Sequence, residues 1–139
     1  MTVECKFCLL AQEKVPIARV FESGAILAFM DRAPVNPGHV LVIPKKHVSE
    51  FQELDDPAFS EIMLAAKKIA KAVKKVTQCK KVGILIAGFD VPHAHVHVIP
   101  MFDAKDVCTK RVFEKEFVQQ PLNVLKDFAE QISSKLDNA

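Results

Sequence analysis

Between residues 93 and 100 the chain reads His93-Ala94-His95-Val96-His97-Val98-Ile99-Pro100, three imidazoles in strict alternation with small or branched apolar residues. Successive side chains of a strand point to opposite faces, so His93, His95 and His97 share one face while Ala94, Val96 and Val98 share the other. Same-face neighbours lie roughly 7 Å apart at about 3.3 Å rise per residue, close enough for the three rings to serve one small site. Near neutral pH an imidazole is a nucleophile, a proton carrier or a metal ligand, depending on what its second nitrogen bonds. The competing readings are a solvated polar sheet face and a three-histidine metal site.

A second group is Cys5-Lys6-Phe7-Cys8, a C-x-x-C spacing that lets two thiolates hold one metal ion. A redox role needs a βαβ setting, which the neighbouring sequence lacks. Zinc suits the pair better, and an empty pair of buried thiols is the alternative. A tetrahedral zinc needs two more ligands, and Cys79 and Cys108 are isolated, so histidines must complete it. Cys79 and Cys108 read as structural. The remaining histidines flank the segment Gly38 to Pro44: His39 at its start, where it can lie beside the triad strand, and His47 in a loop able to reach the metal.

Positioning these residues requires strands first. Arg19-Val20-Phe21-Glu22 and Ala25 to Asp31 read as strands joined by a two-residue turn at Ser23-Gly24, and Gly38 to Pro44 reads as a buried strand ended by proline. Ala33 to Gly38, with two prolines and a glycine, is loop. From Pro57 to Gln78, Phe59, Ile62, Met63, Ala66, Ile69, Ala70, Val73 and Val76 recur at helical steps. The lysines on the opposite face, Lys67, Lys68, Lys71, Lys74 and Lys75, read as solvated. Strands over Lys81 to Ala87 and His93 to Pro100 follow, then a helix from about Pro121 to Leu136. Strands without regular βαβ alternation predict an antiparallel sheet with helices on one side, an α+β fold.

At 139 residues, 50% hydrophobic, the chain suffices for one domain spanning 1–139. Nineteen basic against seventeen acidic residues leave a net charge of +2, too weak a field for bulk nucleic-acid binding. No apolar run approaches the roughly 18 residues of a membrane span. The opening Met1-Thr2-Val3-Glu4-Cys5 lacks a secretory pattern, so a reducing, cytoplasmic location is expected, without disulfides.

The octet at His93 resembles the H-φ-H-φ-H-φ-φ signature, φ apolar, of the histidine triad (HIT) nucleotide hydrolases and transferases. Pro37-Gly38-His39-Val40-Leu41-Val42-Ile43-Pro44-Lys45-Lys46-His47 is similar to the family's second segment, and Ala28-Phe29-Met30-Asp31 to its ribose-contacting stretch. The likeness runs from about Cys5 to Pro100 with its motifs in the family's order. It implies a five-stranded antiparallel sheet with a long central helix and a C-terminal helix, a homodimer, and a purine nucleotide whose α-phosphate lies over the histidine strand. By motif position His95 matches the nucleophile that forms a nucleotidyl-histidine, His97 the phosphate contact, His39 its support and Asp31 the ribose ligand, with Phe29 beside it. In members with an N-terminal C-x-x-C, a structural zinc is held by positions matching Cys5, Cys8, His47 and His93.

The resemblance implies cleavage at the α-phosphate of a phosphoramidate, an adenylate or a dinucleoside polyphosphate. The alternative is a zinc-stabilised nucleotide-binding or interaction protein with weak or no catalysis. Where most of the family reads A-G-Q-(S/T)-V-x-H, this chain has Ala87-Gly88-Phe89-Asp90-Val91-Pro92-His93, which puts Phe89 and Asp90 at the nucleotide site. An ionised Asp90 repels phosphate; a protonated one is a general acid, and the other possibility is that it caps the turn before Pro92. The segment Gly83 to Gly88 is also shorter than the usual phosphate loop.

Overall fold

The computed structural model describes residues 5–107 and 119–136. Its centre is a five-stranded antiparallel sheet of β1 (Arg19–Glu22), β2 (Ile26–Met30), β3 (Val40–Pro44), β4 (Lys81–Leu85) and β5 (Val96–Met101), in the order β1-β2-β3-β5-β4. The helices are α1 (Lys6–Ala11), α2 (Asp56–Thr77) and α3 (Leu122–Leu136). No helix is long and apolar enough to cross a membrane, among the described residues.

Period-two alternation divides the sheet into two chemically distinct faces. Ile26, Ala28 and Met30 of β2, Val40 and Val42 of β3, and Val96 and Val98 of β5 form one core with Ile62, Ala66, Ile69 and Val73 of α2 and Leu125 and Ile132 of α3. Leu27, Phe29, Leu41 and Ile43 pack on the other face with Phe7 and Val91. Both faces are therefore covered at β2 and β3, each buried along its whole length. The polar residues of interest, Asp31, His39 and His97, continue the second face.

Helix α2 starts where Asp55 accepts a hydrogen bond from the Ala58 amide at 2.8 Å and Pro57 presets the first turn. It ends at Gln78, whose φ of 58° is the left-handed cap conformation. The buried stripe is wider than the one expected: Ala65 and Ala72 are buried while Phe59 is exposed.

Several boundaries differ from the sequence reading. The β1–β2 turn runs through Gly24 and Ala25, because the Ser23 amide donates to the Ile26 carbonyl at 3.0 Å and the Ser23 hydroxyl takes the amides of Ala25 and Ile26. Strand β5 starts at Val96 instead of His93. The Ala94 amide leaves the sheet ladder to donate to the Val48 carbonyl at 2.7 Å, so His93 and His95 lie on an extended lead-in that is tied to the loop after β3. Helix α1, absent from the sequence reading, has only six residues, short of what propensity alone sustains. Cys79 is buried, as expected of a structural residue, and Cys108 lies outside the described residues.

Gly38 turns the loop into β3 at a φ of +102°, and a Cβ there would sit 2.5 Å from the Thr77 methyl. Thr77 cannot easily yield, since its hydroxyl donates to the Val73 carbonyl at 2.8 Å. Gly38→Ala should lower unfolding free energy by about 2 kcal/mol or more in urea melts, from strain plus clash. An unchanged midpoint would contradict this backbone assignment.

Candidate active site and metal centre

His97 is the part of the triad inside the sheet. Its register partner is Leu41, so His39, two residues back along β3 on the same face, reaches it diagonally. His39 Nε2 and His97 Nδ1 are 2.9 Å apart, and the Val35 amide donates to His39 Nδ1 at 3.1 Å. These bonds fix a tautomer series. Because His39 Nδ1 accepts, its Nε2 carries the proton and donates to His97 Nδ1, which leaves His97 Nε2–H as a donor. That Nε2 is buried and has no protein partner. Asp31 adds its carboxylate 3.5 Å from His39 Nε2 and is itself held by the Ala33 amide at 2.9 Å.

His95 has the opposite polarity. Its Nδ1 lies 2.7 Å from the His93 carbonyl, which can only accept, so Nδ1 carries a proton and, in the neutral ring, Nε2 has the lone pair. The ring is fully buried, with the Phe7 ring edge-on at 5.1 Å and the His97 ring at 5.0 Å. Asp90 Oδ1 stands 3.2 Å from His95 Nε2, and its side chain is only 16% exposed although the surrounding backbone is open.

His93 belongs to a different centre. Its Nε2 donates to the Pro44 carbonyl at 2.8 Å, which turns Nδ1 toward the thiols, 3.4 Å from Cys5 Sγ and 3.5 Å from Cys8 Sγ. His47 Nδ1 lies 3.3 Å from Cys8 Sγ, and the four ligand atoms all fall within 4.8 Å of one another. Zn–S of about 2.3 Å and Zn–N of about 2.0–2.1 Å at tetrahedral angles require S···N edges of about 3.5 Å, which these distances match. The group is compatible with a zinc site. Partial burial, then the adjacent Cys5, pushes the Cys8 thiol up, so a cation would offset an unfavourable pair of thiolates. Burial pulls His93 down, with smaller help from His47 and His95, and keeps it neutral as a ligand must be.

A profile for the HIT domain matches residues 12–104. The chain belongs to the HIT family. It is 37% identical over 106 residues to an uncharacterized HIT-like protein of Borreliella burgdorferi, covering 71% of this chain and 76% of that one. To the adenosine 5'-monophosphoramidase of Schizosaccharomyces pombe it is 35% identical over 100 residues, 70% of this chain and 74% of the relative. The crystal structure of a HIT-like protein from Bartonella henselae superposes with a TM-score of 0.80 at 29% identity, covering 96% of this chain and 98% of that one. The α+β, five-stranded HIT fold with its long central and C-terminal helices is thereby established.

In this HIT chain the three triad histidines do not converge on one point. His93 turns to Cys5, Cys8 and His47, while His95 and His97 face Asp90. A single metal on all three rings does not fit this arrangement. Nor does His97 Nε2 suit a metal, since the Val35 amide commits it to carrying a proton. Of the residues expected at the nucleotide site, Phe29, Asp31 and Asp90 line a cleft of about 540 Å³ together with Leu41, a size typical of small-ligand sites, whereas His39, His95 and His97 are not among its lining residues. Phe89 does not join them: it is 90% exposed and outside the cleft lining.

Sequence reasoning missed Phe7, Lys6 and Arg32. Phe7 packs edge-on to His95, His93 and Phe29, and Lys6 and Arg32 bring cations to the cleft. Their signal was positional: Lys6 and Phe7 are the two central residues of C-x-x-C, and Arg32 follows Asp31.

Burial, then the neighbouring His39 and His95, holds the His97 ring down at about 3, against a weaker upward pull from Asp31 and Asp90. It is neutral in the folded protein at any pH above that, whereas the unfolded ring titrates at its ordinary 6.5. The unfolded state therefore binds the extra proton between these values. Stability is fully present above pH 6.5 and falls as pH drops toward 3, by up to about 1.4 kcal/mol per pH unit. Urea melts from pH 7 to pH 5 should show a steeper loss for wild type than for His97→Gln, and equal slopes would count against a neutral buried His97.

Proposed function

We propose that this protein hydrolyses or transfers nucleotides at the α-phosphate through a nucleotidyl-histidine intermediate on His95, with zinc as a structural element. One observation carries the reading: the His93 carbonyl holds His95 Nδ1–H at 2.7 Å, so in the neutral ring Nε2 carries the lone pair that a nucleophile needs. Such a nitrogen attacks phosphorus without first losing a proton, and the covalent intermediate divides one hard displacement into two easier ones.

The neighbouring groups have complementary roles. His97 Nε2–H is a preorganised donor to a phosphoryl oxygen in a dry setting, where such a bond is strong. His39 is a positioning residue that keeps His97 in its donor tautomer. The Asp31 carboxylate faces the cleft and suits ribose hydroxyls, while Phe29 and Leu41 offer apolar area for a base, by family resemblance a purine. Cys5, Cys8, His47 and His93 would hold the zinc; when bound, it ties the N-terminus to the segment that carries His95 and has no open coordination position.

The substrate class that best suits the site is a nucleoside phosphoramidate, with adenylates and dinucleoside polyphosphates as neighbours in chemistry. The name of the fission-yeast relative supports a P–N bond. A homodimer, which the family resemblance implies, is also part of this reading, and β4 is an edge strand with Ile84 exposed that a second copy would cover. A thiolate-held metal suits a reducing cytoplasm, and neither nucleic acid nor a membrane is invoked.

With adenosine 5'-phosphoramidate, wild type should show a burst of ammonia followed by steady AMP release. His95→Ala should lose at least about 10³-fold in turnover, as expected when a covalent nucleophile is removed. AMP binding by both proteins with turnover by neither would leave only the nucleotide-binding reading.

Metal analysis gives an independent check. Cys5→Ser should shed zinc and, like chelation of wild type, lower the melting temperature by about 5 °C or more, at about 3–5 °C per kcal/mol for a domain of this size. A melting temperature indifferent to chelator would mean that the four-residue centre does not hold a metal.

A further inference from the structure

The outer face of α2 has no part in the chemistry proposed for the histidines, and its charge is one-sided. Between Glu61 and Asp90 the chain carries seven lysines, all exposed, and no acidic residue. The rest of the chain holds twelve basic against seventeen acidic residues, so a nearly neutral protein is negative apart from one concentrated positive surface. At about 100° per residue, Leu64, Lys67, Lys71, Lys74 and Lys75 fall within an arc of about 100°, opposite the buried stripe of Ile62, Ile69 and Val73. The four lysines of that arc, with Lys81 of β4, line a groove of about 730 Å³ that runs over Ala70 and Val82 and has no carboxylate in its lining. The ion pairs of Arg19 with Glu13 and Glu22, and of Lys45 with Glu22, lie toward the β1 edge of the sheet, away from β4.

We propose that this face docks on the anionic surface of a lipid bilayer, with the lysines meeting phosphate head groups and Leu64 entering the head-group boundary. Lysines clustered in this way on an amphipathic helix have the charge complementarity that anionic leaflets select. Exposed lysines alone would only keep a helix soluble, and Leu64 separates the two roles. It is 62% exposed and directly precedes the lysine row on the same arc. An apolar side chain flanked by cations gains from the lipid interface the burial that water denies it. Nucleic acid fits this surface less well. The groove lysines are accompanied by no arginine, whose planar fork pairs phosphates and bases bidentately, and by no aromatic ring on which a base could stack.

The orientation leaves the candidate active site free. Helix α2 packs on the sheet face of Val42, Val96 and Val98, whereas Phe7, Phe29 and Leu41, which line the cleft, belong to the opposite face. A chain held through α2 turns those residues away from the bilayer, so docking concentrates the protein at a surface without covering the site. The attachment is peripheral, because the other side of α2 is committed to the core and the helix is not apolar enough to cross a membrane. It stands independently of the nucleotidyl-histidine reading.

Co-sedimentation of the full chain with vesicles tests this. At low salt, wild type should pellet with phosphatidylcholine vesicles that contain about 30% phosphatidylserine and stay in solution with pure phosphatidylcholine. Raising the salt to about 0.5 M, where charges are screened within a few ångströms, should release most of it. Lys67→Glu/Lys71→Glu should weaken partitioning by at least about tenfold, from the loss of two attractive charges and the gain of two repulsive ones. Leu64→Ser should weaken it severalfold with every lysine in place, and both variants should keep the wild-type melting temperature. If the charge-reversed variant does not fold, the lipid and salt comparisons on wild type and the Leu64→Ser result decide. Binding to neither vesicle, equal binding to both, or undiminished binding by either folded variant would overturn the proposal. A wild type that shifts a uridine homopolymer in a gel but ignores anionic vesicles would also overturn it and assign the face to nucleic acid.

Discussion

His93 is the residue on which the rest of the site depends, because each of its polar groups supports a different part of the molecule. The ring donates through Nε2 to the Pro44 carbonyl at the end of β3, and so aims Nδ1 at the two cysteines. The carbonyl receives His95 Nδ1–H and so decides the tautomer of the second histidine. A backbone oxygen cannot donate, so neither choice is reversible without breaking the bond. The N-terminal cysteine pair and His95, far apart in the covalent chain, are therefore joined through the single residue His93. Phe7 closes the arrangement from α1 by packing on both rings.

A second constraint is that burial holds His93 and His97 in the neutral form. Three buried imidazoles at close quarters would repel if charged, and burial adds to the cost of protonating any of them. Their order is instead set by directed donors and acceptors, beginning at the Val35 amide on one side and ending at the His93 carbonyl on the other. In the neutral rings, one buried Nε2 then carries a proton and its neighbour a lone pair. A nearly neutral chain can in this way present a polar, directional site without a large positive surplus. Lys6 and Arg32 supply the local cations at the cleft.

Much of this was legible in the sequence because it follows period two. Alternation placed His97 and His39 on one face and Val96 and Val98 on the other, and the strand order that joins β3 to β5 makes them neighbours. The four-residue metal group was legible only with the family resemblance, since nothing in the spacing selects His47 and His93 over other histidines. Helix α1 was not legible: six residues carry too little propensity, and its place is set by Phe7 docking on the second face. The departure of His93 and His95 from the sheet ladder was also hidden, because it depends on the long-range bond from Ala94 to Val48. Phe89 was assigned to the nucleotide site by motif position, yet its ring faces solvent. Motif position fixes where the backbone passes and leaves the side-chain direction open.

The order of strands has a kinetic consequence. Strand β5 lies between β3 and β4, so the late hairpin has to insert its second strand beside a meander made much earlier in the chain. The bond between His39 and His97 spans 58 residues, and closing so long a loop is the slow kind of step in folding. The early meander and α2 can assemble from local contacts, yet that part of the chain lacks the partner of His39. The bond between His39 and His97 thus exists only where β5 is paired with β3.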